Sequence, residues 1–209
     1  MRTTFFIIGC LTLFIVWGLL PLLAPSAFFV HMTMHMGVVA MAAPFLAIGI
    51  AGGRLDPVAR IPQLFAPIPI SLLELVVVWT WHAPGLHHLA RHTVMGLLAE
   101  QSMFLMCGLL LWLSAFGGSS PHDANRAAAG VIGLLLTMMH MVLLGALLAL
   151  TPRTLYAHGE SHTGLTPLED QHLGGAIMLV GGGVSYLVGG LWLSVRLLRG
   201  NTIQQRGSQ

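Results

Sequence analysis

The sequence has few charged residues, and none of them is lysine. Only 8% of its 209 residues are charged, and all nine basic residues are arginines. Soluble domains carry about 25% charged residues, so this composition excludes a soluble protein. Cysteine is scarce as well. Cys10 and Cys107 both fall within apolar runs, which excludes a disulfide framework.

Long apolar runs take up most of the chain. A bilayer core requires about 20 apolar residues per helix, and lipid permits only helices or closed barrels. The runs are too long for barrel strands, so they predict an all-α fold: one transmembrane domain over residues 1–209. The first run resembles a signal peptide, but we expect it to be a retained helix. Proline and glycine breaks predict six spans, at about 4–24, 30–51, 64–82, 88–115, 127–150 and 171–197.

The arginines indicate the orientation of these spans. If the N-terminus is cytoplasmic, seven arginines lie inside and two lie outside, which agrees with the positive-inside rule. Both termini are therefore predicted to be cytoplasmic. The inside group is Arg2, Arg54, Arg60, Arg126, Arg196, Arg199 and Arg206, and the outside group is Arg91 and Arg153.

With this topology, ten of the eleven histidines fall on the outer half of the protein. His31/His35 and His88/His92 are spaced i, i+4, so each pair shares one helix face and can hold one metal ion. A single histidine at a membrane interface is more commonly an anchor or a hydrogen-bonding group. We interpret His87, His158 and His162 in that way.

Two further histidines are candidate metal ligands because of their positions in the sequence. His82 lies in the same outer turn as the second pair, and His140 lies within the fifth span. Methionines accompany the histidines in the stretch HMTMHM, residues 31–36. Thioether and imidazole groups together favour copper, Cu(I) in particular, over magnesium or calcium.

Carboxylates at mid-depth add to the site. A charged side chain there costs at least ~2.5 kcal/mol, so Glu74 and Glu100 should face the bundle interior, as site groups or as protonated contacts between helices. Glu169 has the spacing of a capping box and is interpreted as structural. The predicted metal-site residues are His31, His35, His82, His88, His92, Glu100, His140, Asp170 and His172.

Four stretches carry a family resemblance: Trp81-His82-Ala83-Pro84, and residues 100–104, 144–156 and 168–178. They resemble the CtaG-type cytochrome c oxidase assembly factors, multi-span proteins of the bacterial inner membrane. The family pattern falls on His31, His35, His82, His92, Glu100 and residues 169–171. The chain departs from it at Gln101, where the family often has histidine, and after Met178.

The resemblance implies a non-enzymatic assembly factor with no catalytic residues and no nucleic-acid partner. Its expected cargo is copper, delivered to the catalytic subunit of a haem–copper oxidase and received from a periplasmic copper chaperone. The histidine-rich face would then point toward the periplasm, with membrane lipid around the helices.

Two alternatives stay open. A b-type haem electron carrier would use His35 or His92 together with His140 as axial ligands. A zinc-dependent membrane enzyme would use Glu74 or Glu100 as general base, but the sequence contains no His-Glu-x-x-His motif.

Overall fold

The computed structural model describes residues 1–23, 27–118, 124–156 and 164–207. These residues form helices and connecting turns, and none of them lies in a strand. The helices are α1 (Arg2–Leu23), α2 (Phe28–Ile50), α3 (Pro67–Trp81), α4 (Pro84–His92), α5 (Val94–Phe116), α6 (Ala124–Leu150) and α7 (Pro167–Gly207).

Five of these helices, α1, α2, α5, α6 and α7, are long and apolar enough to cross a bilayer. The all-helical membrane fold predicted from composition is therefore confirmed. The predicted third span is instead the 15-residue helix α3, which is ~22 Å long against a hydrocarbon core of about 30 Å. Prolines shorten α3 because Pro67 begins the helix and Pro84 begins the next one.

The predicted span 88–115 is wrong at its start. The chain is extended at Thr93, with φ −133° and ψ 136°, and α5 begins only at Val94. The Thr93 side chain caps α5 by accepting a hydrogen bond from the Gly96 N–H at 3.0 Å. Residues 84–92 therefore form a separate short helix, so the His88/His92 pair does not share a helix with Glu100.

Helix α2 contains a π-helical segment, Gly37–Ala42, that begins two residues after His35. Its backbone carbonyls accept hydrogen bonds from neighbouring helices: Trp112 Nε1 donates to Val39 at 2.9 Å, and Ser185 Oγ donates to Ala40 at 2.6 Å. Segments of this kind are frequent at functional sites. Here these two bonds tie α2, which carries two of the candidate histidines, to α5 and α7.

Helices α6 and α7 approach each other closely through glycine. A Cβ atom placed on Gly145 would lie 2.6 Å from the backbone nitrogen of Leu179, and one on Gly175 would lie 2.5 Å from that of Ala149. Small residues of this kind allow direct backbone packing between membrane helices.

Candidate metal centre

Three buried groups from three helices form the outer part of the site. His31 of α2, His87 of α4 and Glu100 of α5 each offer a ligand atom, and these atoms all lie within 4.8 Å of one another. The groups meet at the end of the bundle where α2 and α5 begin. Helix α4 closes this end because it connects α3 to α5.

His31 is buried with no hydrogen bond to satisfy its ring. Within the described parts of the chain, neither ring nitrogen of His31 has a hydrogen-bond partner, and Glu100 Oε1 has none either. The nearest approach joins His31 Nδ1 to Glu100 Oε2 at 3.7 Å. Leaving a buried polar atom unsatisfied costs ~1–3 kcal/mol. A group of buried nitrogen and oxygen atoms without hydrogen-bond partners is what a metal site contains before the metal is bound.

His35 and His82 continue the site inward. Their ring centroids are 5.2 Å apart, and that of His82 is 5.8 Å from His31. The Nδ1 atom of His82 lies 2.7 Å from the carbonyl oxygen of Val78. A carbonyl only accepts, so Nδ1 carries the proton and Nε2 keeps its lone pair, the usual arrangement of a metal-binding histidine. Across the described residues, His82 Nε2 and both ring nitrogens of His35 have no hydrogen-bond partner.

Burial controls the charge of His82, which lies just outside α3. Desolvation is the main cause that lowers the pKa of His82 to about 4; the Val78 hydrogen bond opposes this shift, and the nearby Arg91 adds to it. His82 is therefore a neutral imidazole at neutral pH. This is the form of histidine that binds metals.

Aromatic rings surround the four histidines. The Phe104 ring lies 4.1 Å from the His35 ring, and Tyr156 lies 4.5 Å from both Phe28 and His87. Tyr156 also donates its hydroxyl to the backbone carbonyl of His82 at 2.5 Å. These walls keep water out of the site, which strengthens every electrostatic interaction inside it. We refer to His31, His35, His82, His87 and Glu100 as the histidine cluster.

Glu100 is held in place by two side chains. Arg91 of α4 forms an ion pair with Glu100 Oε2, and Gln101 Nε2 donates to the same oxygen at 3.2 Å. Gln101 Oε1 in turn accepts from Trp17 Nε1 of α1 at 2.9 Å. Gln101, where the family often has histidine, therefore supports Glu100 and connects it to α1.

Glu74 occupies a different part of the core. Its two carboxylate oxygens accept from Tyr186 at 3.1 Å and from Thr137 at 3.2 Å, and Thr137 also bonds Ser71 at 3.0 Å. These contacts join α3, α6 and α7, which favours the interpretation of Glu74 as a contact between helices. His140 lies one turn beyond Thr137 and is buried, and within the described residues neither of its ring nitrogens has a hydrogen-bond partner.

His88 and His92 do not join the histidine cluster. Both are exposed, and their rings lie in contact, with centroids 3.9 Å apart and planes tilted by 38°. The reason is the orientation of α4, which turns His87, Ala90 and Arg91 inward. His88 and His92 lie roughly 100° around that helix from His87 and Arg91.

Asp170 and His172 have structural partners. Asp170 is buried, and its two oxygens accept from the Phe28 and Phe29 N–H groups, each at 2.8 Å. It therefore caps the start of α2 from α7. His172 Nε2 donates to the Thr151 carbonyl at 2.8 Å. His158 and His162 lie outside the described residues.

His87 is the member that the sequence interpretation missed. It was interpreted as an interface anchor, yet it is fully buried and lies beside His31, with ring centroids 4.7 Å apart. The signal for it was present in the sequence as the i, i+4 pair His87/Arg91 with Ala90 on the same face. That face competes with the His88/His92 face, and spacing alone does not rank the two.

Comparison with known proteins identifies a family, whose model matches almost the whole chain. No curated protein and no solved structure matches it significantly. The model of the cytochrome c oxidase caa3 assembly factor family matches residues 1–200, which include every residue of the histidine cluster and of its supports. The resemblance to the CtaG-type factors is thus confirmed, and the chain belongs to the family of caa3-type cytochrome c oxidase assembly factors.

Proposed function

We propose that this assembly factor binds Cu(I) at the histidine cluster and passes it to the catalytic subunit of a haem–copper oxidase. One observation carries the proposal: four buried imidazoles and a carboxylate from four chain segments meet at one end of the bundle. Three of these imidazoles offer ring nitrogens that bond to no other described group. Delivery of a metal ion requires binding and release but no bond-making chemistry, so the protein need not be an enzyme.

The choice of Cu(I) depends on the imidazoles more than on the methionines. Imidazole is a suitable ligand for copper, as it is for zinc and iron, and an apolar enclosure favours an ion of low charge because its desolvation costs less. Two methionines of the 31–36 stretch are used for packing, because Met32 lies against Gly174 of α7 and Met36 lies against Gly181. The thioether groups therefore add less to the proposal than their sequence position predicted.

The proposal also includes an orientation in the membrane. The histidine cluster lies where α2 and α5 begin and where α3 ends, which is the end that the arginine distribution assigns to the outside. In the proposed arrangement this end faces the periplasm of a bacterial inner membrane. Both termini are then cytoplasmic, which requires the short helix α3 to cross the membrane together with the five long helices. A periplasmic copper chaperone would then supply copper to the exposed surface of α4.

Copper loading of the purified protein tests the proposal. The full chain in detergent is loaded with Cu(I) under anaerobic, reducing conditions, washed and analysed for copper. We expect the wild type to retain copper and the double variant His31→Ala/His87→Ala to lose it. The control His88→Ala/His92→Ala removes two exposed histidines of α4 and should retain copper.

The same strains give a second measurement in cells. Oxidase purified from cells with the His31→Ala/His87→Ala variant should lack copper, whereas oxidase from the control strain should contain it. Full copper in both the variant protein and its oxidase would contradict the proposal. A Soret band in the visible spectrum of the purified factor would indicate haem binding instead.

A further inference from the structure

Arg91 lies inside the proposed copper site although its charge is the same sign as that of the cargo. We infer that Arg91 makes this site selective for monovalent over divalent metal ions, because it cancels the charge of Glu100. This inference rests on the proposed function and concerns the ion class that the same site accepts.

The position of Arg91 relative to the site is well defined. Its guanidinium pairs with Glu100 Oε2, and this same oxygen lies 3.7 Å from His31 Nδ1. The Glu100 side chain is fully buried, and only 15% of the Arg91 side chain is exposed. An ion held by His31, His87 and Glu100 would therefore lie beside the guanidinium, with little water to screen the two charges.

The charges of Arg91 and Glu100 cancel each other before a metal ion enters. Their side chains form an ion pair at the edge of the site. Another carboxylate near this end of the bundle is that of Asp170, which belongs to α7 and lies at the start of α2. Both of its oxygens are bound by backbone N–H groups at the positive end of that helix.

A buried site with no net charge binds monovalent ions more favourably than divalent ions. The cost of moving an ion out of water rises with the square of its charge, so a divalent ion loses about four times as much solvation as a monovalent ion of similar size. Repulsion from Arg91 is also twice as large for the divalent ion. Glu100 would offset this cost if its charge were free, but Arg91 neutralises it.

The size of the effect follows from Coulomb's law. A guanidinium ~5 Å from the ion, at an effective dielectric constant of ~20, weakens binding on the order of 100-fold for each unit of ion charge. Removal of the Arg91 charge should therefore raise divalent affinity more than monovalent affinity. Because Arg91 is partly exposed, we expect the ratio of the two affinities to change by at least about tenfold.

The experiment compares Ag⁺ and Zn²⁺ binding to the full-length protein in detergent. Ag⁺ serves as a monovalent probe that does not change oxidation state, and both ions are titrated in competition with a chelator of known affinity. Arg91→Gln should shift the Zn²⁺-to-Ag⁺ affinity ratio at least about tenfold toward Zn²⁺. Arg91→Lys keeps the charge and should keep the wild-type ratio. Arg153→Gln removes an exposed arginine and serves as the matched control.

A second variant covers the case in which Arg91→Gln does not fold. Arg91→Gln/Glu100→Gln removes both buried charges together, which buried ion pairs tolerate better than the loss of one partner. Its site again has no net charge, so it should keep the preference for Ag⁺. A double variant that prefers Zn²⁺ overturns the inference.

The outcomes separate this inference from the proposed function. If the wild type binds Ag⁺ and Arg91→Gln leaves the Zn²⁺-to-Ag⁺ ratio unchanged, the selectivity inference is wrong and the copper site stands. If the wild type binds neither Ag⁺ nor Cu(I), the proposed function fails, and this inference fails with it.

Discussion

The cap that Asp170 places on α2 provides a test of whether this carboxylate is structural or a metal ligand. Helix α2 begins at Phe28 with Ala27 at its N-cap position, and Ala27 has no side-chain acceptor. The two oxygens of Asp170 therefore take the N–H groups of Phe28 and Phe29. Replacement by alanine removes both acceptors from a buried helix start.

The expected loss of stability follows from these two bonds. A hydrogen bond to a charged group contributes ~1.5–3 kcal/mol, and the loss of an N-cap alone costs ~0.5–2 kcal/mol. Because both bonds are lost at a buried position, we expect Asp170→Ala to lower the free energy of unfolding by about 3–5 kcal/mol. Asp170→Asn keeps one acceptor oxygen, so its loss should be about half as large.

The assay is reversible unfolding of the purified protein by a denaturing detergent, monitored by circular dichroism. Glu169→Gln is the matched control, because Glu169 is exposed and its carboxylate caps only its own helix, through Thr166. The control should lose less stability than Asp170→Asn. Copper per folded chain should be the same in all four proteins.

Two results would refute this reasoning. If Asp170→Ala has wild-type stability, the two hydrogen bonds do not hold α2 as the structure indicates. If the variant is stable but its folded fraction no longer retains copper, Asp170 is a metal ligand, and its capping role is secondary.

Three further substitutions test other parts of the structure. Glu100→Gln should leave oxidase in the same cells without copper. It should also destabilise the assembly factor by about 3–5 kcal/mol, because Arg91 loses its partner. Normal oxidase copper content would contradict a role for the Glu100 charge. Gly175→Val should force α6 and α7 apart and abolish accumulation of folded protein in the membrane, whereas wild-type levels on immunoblots would contradict the close packing. Tyr156→Phe should cost about 1 kcal/mol of stability, because its bond to the His82 carbonyl is lost, and copper binding should persist. Loss of copper in that variant would place the hydroxyl group in the site.

Hydropathy and local spacing were sufficient to predict the all-helical class and the long apolar helices, but not the number of spans. A long apolar run favours lipid whatever the rest of the chain does, so it can be recognised locally. Accordingly, α6 and α7 begin within a few residues of their predicted starts. Local capping was predictable for the same reason. Glu169 was interpreted as a capping residue, and it accepts two hydrogen bonds from Thr166. A Thr93 cap that starts a new helix was equally local, but the apolar run around it hid the break.

The sequence also predicted that His31 and His35 would share one outer-facing site with His82, His88 or His92, since all five fall at one end of the predicted bundle. The ring separations of 5.2 and 5.8 Å agree with that prediction. Their assignment as copper ligands is a separate statement, and it stays a proposal until metal binding is measured.

Only the tertiary structure decided which polar groups of α4 and α7 belong to the site. Helix α4 offers two i, i+4 faces, His87/Arg91 and His88/His92, and the packing of α4 against α5 buries the first. Asp170 precedes His172 on α7, yet it binds the start of α2, which lies about 140 residues earlier in the chain. Periodicity states which side chains share a face, but the face that turns inward depends on the neighbouring helices, because burial and hydrogen bonding are properties of the packed bundle.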